Sequence, residues 1–169
     1  FFGPFLKFSG FDALELQGKS QNDVIIFIDG INHKVEIFDA PAEAVDSHLL
    51  AEHLTEIFAD SDNEKKNIGV VSAGSAADHS LIGMLNFSFY DPKRKKVRLK
   101  QAGRGGIGTV FRNKKIKALV CKIPGVKGNL NNVVDLEAIM ERGIRFNREM
   151  RELDDKQCEM RSKGTAHLT

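Results

Sequence analysis

Alternating apolar and polar positions near the start of the chain predict β-structure. Residues 13–17 alternate and end at a Gly-Lys-Ser turn, residues 24–29 are β-branched or aromatic, and residues 33–39 alternate again. The sequence Asp29-Gly30-Ile31-Asn32 between the last two segments is typical of a hairpin turn. We therefore predict three strands that form an antiparallel meander.

A helical period follows and ends near Ala59. Asp46 or Ser47 can cap the N-terminus of this helix, because a short polar side chain accepts hydrogen bonds from the first free backbone N–H groups. His53 falls within the apolar stripe, where a histidine at the edge of the core is more usual than a metal ligand. The predicted buried face consists of Leu49, Leu50, His53, Leu54, Ile57 and Phe58.

The middle of the chain is mainly apolar segments separated by small or polar residues, which predicts further strands. The longest of them is apolar enough for burial on both faces of a sheet. The predicted strands are residues 68–71, 81–90, 97–100 and 116–122, with a turn of small residues at 72–77 and one helical turn at 109–113.

The last part of the chain predicts a linker and a helix. Residues 124–132 are rich in glycine and asparagine, and Asp135 can cap a helix that runs to about residue 154. The predicted fold class is α+β, built mainly on β-sheets with two or three helices. The predicted domains are residues 1–123, which we expect to be incomplete at their start, and residues 124–169. The apolar stripe of the last helix consists of Leu136, Ile139, Met140, Ile144 and Met150.

Charge is distributed unevenly although the net charge of the 169 residues is only +2. Residues 93–122 carry 12 Lys or Arg and no Asp or Glu, whereas residues 39–64 carry eight acids and no Lys or Arg. The basic segment favours an anionic partner or forms a solvated face. Nucleic acid is disfavoured as that partner, because aromatic side chains are not interleaved with the basic positions.

Composition excludes several classes of protein. Two cysteines, Cys121 and Cys158, are too few for a disulfide framework or a four-cysteine metal site, and we expect both to be inert. No apolar run reaches the roughly 20 residues that cross a bilayer, and no secretory signal pattern is present. We therefore expect no membrane partner and a cytoplasmic location.

The segment Lys100-Gln101-Ala102-Gly103-Arg104-Gly105-Gly106-Ile107-Gly108 is the sharpest local feature. Its glycines allow positive φ and expose bare backbone N–H groups, and Lys100 and Arg104 add positive charge. The spacing Gly-x-Gly-Gly-x-Gly fits neither a Walker loop nor the dinucleotide motif. Two interpretations stay open from the residues alone: a tight turn between strands, and contact with a phosphate or a pterin-type cofactor.

No acid–base or nucleophile constellation stands out in the sequence. The triplet Asp78-His79-Ser80 is only local, and sequence neighbours seldom form a catalytic triad. The histidines are scattered without metal-ligand spacing, at positions 33, 48, 53, 79 and 167. We therefore predict no catalytic residue in this chain.

Several blocks of the chain, in their order, resemble one family. Phe2-Gly3-Pro4 and residues 6–13 resemble its Phe-Gly-Pro-Glu-Leu-Lys-x-Ala-Gly-Tyr-Asp-Ala stretch. Residues 102–110 with residues 114–120 are similar to its Ala-Gly-Arg-Gly-Gly-x-Gly-Ala-Val block and the Lys-x-Leu-Lys-Ala-Ile-Val that follows. Gly164-Thr165 also resembles a family pair. The family is that of the aldehyde ferredoxin oxidoreductases, tungsten enzymes with a bis-pterin cofactor.

The resemblance implies that the chain is most of the N-terminal domain, on which two pterins lie. It implies a cofactor-binding set of Lys100, Gln101, Ala102, Gly103, Arg104, Gly105 and Gly106. It also implies that the main-chain carbonyl of Gln101 binds a magnesium ion that bridges the pterins. The [4Fe–4S] cluster and the catalytic Glu and His residues would lie outside this chain, which alone would be inactive.

The activity that the resemblance implies is oxidation of an aldehyde to a carboxylic acid, with ferredoxin or an iron–sulfur subunit as electron partner. The sequence departs from the family pattern at Phe5, which replaces a Glu, and at Lys100-Gln101, which replaces Arg-Ala. The segment before the glycines is also longer and includes residues 91–96. Two alternatives therefore stay open: a non-catalytic scaffold or binding domain that kept the fold, and a relative that reduces aromatic thioesters.

Overall fold

A six-stranded mixed β-sheet forms the centre of residues 1–130. The structure, a computed structural model, describes residues 2–41, 46–125 and 133–168. The strand order is β2-β1-β6-β3-β4-β5; β1 and β6 run parallel, and every other neighbouring pair is antiparallel. The strands are β1 (Val24–Asp29), β2 (Lys34–Asp39), β3 (Ile68–Ser72), β4 (Leu85–Asp91), β5 (Lys96–Ala102) and β6 (Ile116–Lys122).

Helices cover both faces of this sheet, and the predicted α+β fold class is confirmed. The first and last α-helices of the chain have no counterpart in the sequence prediction. The α-helices are α1 (Phe2–Phe8), α2 (Ser47–Phe58), α3 (Ile107–Asn113), α4 (Leu136–Leu153) and α5 (Met160–Lys163). Shorter turns are the 3-10 helices Lys65–Asn67, Ser75–Asp78 and Gly164–Leu168 and the π-helix Asp154–Cys158.

The core consists of two apolar layers, one on each face of the sheet. β1 is buried along its whole length, as expected for a strand that helices cover on both faces. Ile26 and Ile28 belong to the layer on the α1 side, and Ile25 and Phe27 belong to the layer on the α2 side. The Phe27 and Phe58 rings stack with centroids 4.3 Å apart, which fixes α2 on the sheet.

The chain divides into two compact units, residues 1–130 and residues 131–169. The second unit contains α4 and α5. The linker predicted at 124–132 falls mostly on residues 126–132, which lie outside the described residues. The domain boundary between residues 123 and 124 therefore stays a prediction.

The predicted strand at residues 13–17 is wrong. Leu14 and Leu16 pack against the core while their neighbours are exposed, so the alternation arises from a segment that lies along the core without joining the sheet. The predicted meander is also wrong in part. The hairpin of β1 and β2 is confirmed, but the other neighbour of β1 is β6, from much later in the chain.

The α2 helix has the predicted cap, and its predicted buried face is confirmed at Leu50, Leu54 and Phe58 but wrong at Leu49, His53 and Ile57. The Asp46 carboxylate accepts hydrogen bonds from the backbone of His48 and Leu49 at 2.8 Å each. Leu50, Ala51, Leu54 and Thr55 are buried, whereas Leu49 and Ile57 are more than half exposed and His53 is exposed. The predicted stripe was rotated, because the small side chains Ala51 and Thr55 let the helix approach the sheet closely.

The predicted strand at 81–90 begins later, at Leu85, and is only partly buried. Leu81 and Ile82 are 88% and 80% exposed, because this segment turns back toward α3 before β4 begins. The helical turn predicted at 109–113 is confirmed but starts earlier, at Ile107.

The last long helix is confirmed close to its predicted bounds. Asp135 accepts a hydrogen bond from the backbone N–H of Ala138 at 2.9 Å, as a cap should. The stripe Leu136, Ile139, Met140, Ile144 and Met150 is 49–70% exposed. Within the described part of the chain, no helix is both long and apolar enough to cross a membrane.

Candidate functional site

The glycine-rich segment connects β5 to α3. β5 ends at Ala102, and α3 begins at Ile107 after Gly106, which caps the helix in the left-handed conformation with φ of +69°. Gly105 is also left-handed, at φ of +76°. Side chains with a Cβ rarely adopt this conformation, so two successive glycines allow the chain to turn sharply here.

The second half of the glycine segment is packed tightly against residues 81–84. A Cβ atom at Gly106 would lie 2.3 Å from the carbonyl oxygen of Leu81, and one at Gly108 would lie 2.2 Å from that of Met84. The backbone N–H of Gly108 donates to the carbonyl of Gly83 at 2.9 Å. The tight-turn interpretation therefore accounts for Gly106 and Gly108.

The first half of the same segment is open. A Cβ atom at Gly105 would meet nothing within 4 Å, and one at Gly103 would meet only the Met84 side chain, at 3.6 Å or more. Gly103, Arg104 and Gly105 are all exposed. Their backbone is thus accessible to a ligand, and no fold contact explains the absence of a side chain at Gly105.

The three residues before the glycines lie on β5, at the edge of the sheet. Lys100 pairs with Phe87, Gln101 with Asn86 and Ala102 with Leu85 of β4. All three are exposed, and β5 holds them in an extended row that leads into Gly103. Of the predicted binding residues, Lys100 to Gly105 therefore form one continuous exposed stretch. Gly106, the last of them, is buried.

Positive charge flanks the open backbone on both sides. Lys100 and Arg104 are exposed, and no carboxylate of the described residues forms an ion pair with either. Their charges are therefore available to an anion next to the open N–H and C=O groups. This arrangement can hold a phosphate-like group by charge and by backbone hydrogen bonds.

A buried arginine that the sequence prediction missed fixes α3 in place. Arg112 is only 6% exposed, and it donates to both carboxylate oxygens of Asp78 at 3.0 Å and to Asp23 at 3.1 Å. Burial lowers the pKa of Arg112, but the hydrogen bonds to Asp78 and Asp23 outweigh it, so the pKa is raised from its ordinary value. Asp78 lies 34 positions before Arg112. No local spacing could have revealed such a pair.

Among the described residues, Cys121 and His33 are two further reactive side chains, and each makes a single local contact. Burial raises the pKa of Cys121 to about 11 despite a 3.1 Å contact with the Ser9 hydroxyl, which agrees with the predicted inertness of this thiol. The ring Nδ1 of His33 contacts the carbonyl of Ser9 at 3.1 Å. No group of three or more metal-ligating side chains occurs among the described residues, which exclude the side chains of Cys158 and His167.

Comparison with known proteins points to one family. Residues 1–123 match the family described as aldehyde ferredoxin oxidoreductase, N-terminal domain. A tungsten-containing aldehyde ferredoxin oxidoreductase of Pyrococcus horikoshii is 32% identical over 124 residues, which are 72% of this chain and 18% of that protein. The protein of the same description from Thermococcus kodakarensis is 33% identical over 124 residues, 70% of this chain and 17% of that protein.

A solved structure also resembles the chain. The active-site complex BamBC of benzoyl coenzyme A reductase, in complex with 1,5-dienoyl-CoA, matches with a TM-score of 0.54 and 27% identity, over 72% of this chain and 16% of that one. The chain thus spans less than a fifth of the length of the curated relatives that it matches.

Proposed function

Because the chain belongs to the family of aldehyde ferredoxin oxidoreductase N-terminal domains, we propose that it is the cofactor-binding part of a tungsten–pterin oxidoreductase. The proposed reaction is oxidation of an aldehyde to a carboxylic acid with ferredoxin as electron acceptor. The observation that carries this proposal is the open backbone of Gly103 to Gly105 between the unpaired cations Lys100 and Arg104.

The residues present fit the anionic tail of a pterin cofactor. A Cβ at Gly105 would stand in open space, so no packing contact requires a glycine there; its left-handed φ favours one, and the bare backbone is left open to a ligand. Arg104 can bind a phosphate in a two-pronged way, whereas Lys100 supplies a single mobile charge in place of the arginine usual in the family. The family's charge is therefore kept at this position and its fixed geometry is lost.

Each residue has a separate part in holding the cofactor. Lys100 and Arg104 would neutralise phosphate charge, and the backbone of Ala102 to Gly105 would donate and accept hydrogen bonds. Gln101 would offer its main-chain carbonyl to a magnesium ion, since a carbonyl ligand does not depend on the side chain. When bound, the tungsten–pterin group supplies two-electron redox chemistry, which these residues orient but do not perform.

Other parts of the enzyme would lie outside residues 1–169. We place there the [4Fe–4S] cluster, the catalytic acids and bases, and the surface that ferredoxin or an iron–sulfur subunit contacts. The cytoplasm, where thiols such as Cys121 stay reduced, is the proposed location.

The similarity to the benzoyl coenzyme A reductase complex supports a second candidate, a relative that reduces an aromatic thioester. The two candidates share the cofactor site and differ in the substrate. A single preparation can therefore separate them.

The test uses the full-length protein produced with tungstate. Tungsten and pterin content are measured first, and reduction of a dye by aldehydes and oxidation of a reduced dye by an aryl-CoA thioester are measured next. Cofactor with aldehyde-dependent turnover supports the first candidate, and cofactor with thioester turnover supports the second. A protein that folds but holds no tungsten or pterin would contradict both candidates and favour the non-catalytic scaffold or binding domain.

The site itself is tested by a pair of double variants. Lys100→Ala with Arg104→Ala removes two charges beside the open backbone, and we expect at least tenfold less pterin retained after gel filtration. Lys19→Ala with Lys34→Ala removes two exposed charges elsewhere and should retain as much cofactor as the unchanged protein. Equal retention by both variants would contradict the assignment of the site.

A further inference from the structure

The outer edge of β5 is open at the rim of the sheet. Among the described residues, β5 is hydrogen-bonded to β4 and to no other strand. Its second row of backbone N–H and C=O groups therefore faces away from the sheet. Such an edge can pair with an additional strand unless side chains prevent it.

Cations occupy alternate positions along this edge strand. Lys96, Arg98 and Lys100 are exposed, while Val97 and Leu99 between them point to the opposite face and pack with the α2-side core. The cations are spaced by about 6.6 Å, the two-residue repeat of a strand. A basic strand would be repelled here, whereas a strand with acids at alternate positions would be attracted.

The hairpin's own residues compensate little of its positive charge. Asp91 accepts a hydrogen bond from Arg94 at 2.9 Å and lies 3.7 Å from Arg98. Within the described part of the chain, no carboxylate forms an ion pair with Lys93 or Lys96. The hairpin therefore carries several cations and a single acid.

A cleft lies beside the same stretch of β5, on its α2 side. Its volume is about 620 Å³. One flank of α2 forms one wall, and Tyr90, Lys95, Lys96 and Val97 of the hairpin form the other. The side chains of α2 at this wall are Leu49, Glu52, His53 and Glu56, and Lys65, which is paired with Glu56, closes one side.

From the open edge and the cleft together, we propose that β5 and α2 form a groove that binds an extended acidic peptide segment as a seventh strand. Backbone hydrogen bonds to residues 96–99 of β5 would hold the segment, which leaves Lys100, Gln101 and Ala102 to the proposed cofactor site. Its acidic side chains would face Lys96 and Arg98, and the alternate side chains would enter the cleft beside Leu49 and His53. A groove between an edge strand and a helix supplies both parts of this kind of recognition.

The structure favours a peptide over a nucleic acid as the occupant. A peptide can satisfy the unpaired backbone groups of β5, which a nucleic acid cannot do in a regular ladder. Phe87, the aromatic residue opposite Lys100, packs edge-on against Phe2 with ring centroids 6.4 Å apart, so it does not present a free face for base stacking.

Fluorescence anisotropy of the full-length protein tests this proposal with a labelled ten-residue peptide that alternates Glu and Thr. The matched probes are the same peptide with N-methyl groups on every residue, which cannot donate the backbone hydrogen bonds of a ladder at either edge, and a 20-base-pair DNA duplex. We expect the unmodified peptide to bind at least tenfold more tightly than the methylated one. Equal binding of the two peptides, tighter binding of DNA, or no binding of the peptide would overturn the proposal.

Charge reversal provides the matched protein variants. Lys96→Glu with Arg98→Glu should weaken peptide binding by about tenfold or more, since it turns attractive cross-strand pairs into repulsive ones. Lys19→Glu with Lys34→Glu makes the same change of charge away from β5, in the segment before β1 and on the opposite edge strand β2, and should change binding by less than twofold. Hydrogen exchange at the β5 amides gives a second readout: the peptide should slow it, and unchanged exchange with bound peptide would refute strand addition.

Discussion

The guanidinium of Arg112 donates to both carboxylate oxygens of Asp78, with Nε and Nη2 each 3.0 Å from an oxygen. This pair joins α3 to the 3-10 helix Ser75–Asp78. α3 follows directly on the glycine segment, so the pair fixes the position of the end of that segment. The proposed binding surface is thus positioned by a buried ion pair that is not itself part of that surface.

Removal of the Asp78 carboxylate should destabilise the protein. In Asp78→Ala, Arg112 keeps only Asp23 as an acidic partner while it stays buried, and the local free energy of unfolding should fall by about 2–3 kcal/mol. Native-state hydrogen exchange of β6 amides measures this loss. Asp62→Ala, which removes an exposed partner of Lys65, is the control and should change little; an equal loss in both would show that Arg112 is not fixed by Asp78.

Substitution of Gly105 and Gly106 by alanine should show which of these two glycines the packing of the fold requires. Gly106→Ala would place a Cβ 2.3 Å from the Leu81 carbonyl in a left-handed conformation, and we expect a loss of roughly 2–4 kcal/mol in stability. Gly105→Ala meets no atom and should cost only about 1 kcal/mol, from its positive φ. Chemical denaturation measures both. A larger loss for Gly105→Ala than for Gly106→Ala would contradict the division of this segment.

Asp29 should make stability depend on pH in the acid range. Burial raises the pKa of Asp29, but hydrogen bonds from the Asn32 side chain and from the Asn32 and Ile31 backbone outweigh it, so the pKa lies below 3.8. Because the folded state holds the carboxylate, this stabilisation is present above the unfolded pKa and is lost as pH falls through the lower folded value.

The matching variant is Asp29→Ala, which should lower the free energy of unfolding by about 2 kcal/mol at pH 7. This difference from the unchanged protein should shrink once the pH falls below about 4. Urea unfolding at several pH values measures it. Asp12→Ala, at an exposed surface pair with Lys7, is the control. A difference for Asp29→Ala that stays constant down to pH 2 would argue against the carboxylate as its source.

Cys121 should resist alkylation in the folded protein. Burial raises its pKa from 9.0 to about 11, so at pH 8 the reactive thiolate is about a hundredfold rarer than for an ordinary cysteine. Iodoacetamide labelling mapped by mass spectrometry should show slow reaction at Cys121 in buffer and fast reaction in urea. Rapid labelling of Cys121 without denaturant would show that the α1-side core opens readily.

The sequence predicted local elements better than their neighbours in the sheet. Residues 24–29, 68–72 and 116–122 are rich in β-branched or apolar residues, and each forms a buried strand. Short runs of such residues favour a strand inside a covered sheet, because most of their side chains are stable only when buried. The alternation of apolar and polar residues at 13–17 led to a wrong strand prediction. A loop that packs against the core along one side shows the same alternation as a strand. The face of α2 was misjudged because hydrophobicity alone ranked Leu49 above Ala51, whereas close approach to the sheet favours the small residue.

The sequence by itself determined the family blocks, the fold class and the residues of the glycine segment, since these follow from residue types at fixed local spacings. Only the tertiary structure decided that Gly106 and Gly108 serve packing while Gly103 and Gly105 stay open, because this depends on where residues 81–84 lie. It also decided that β1 pairs with β6 and that Arg112 meets Asp78. Contacts between distant residues arise from how helices and strands pack in three dimensions, and no local pattern along the chain encodes them.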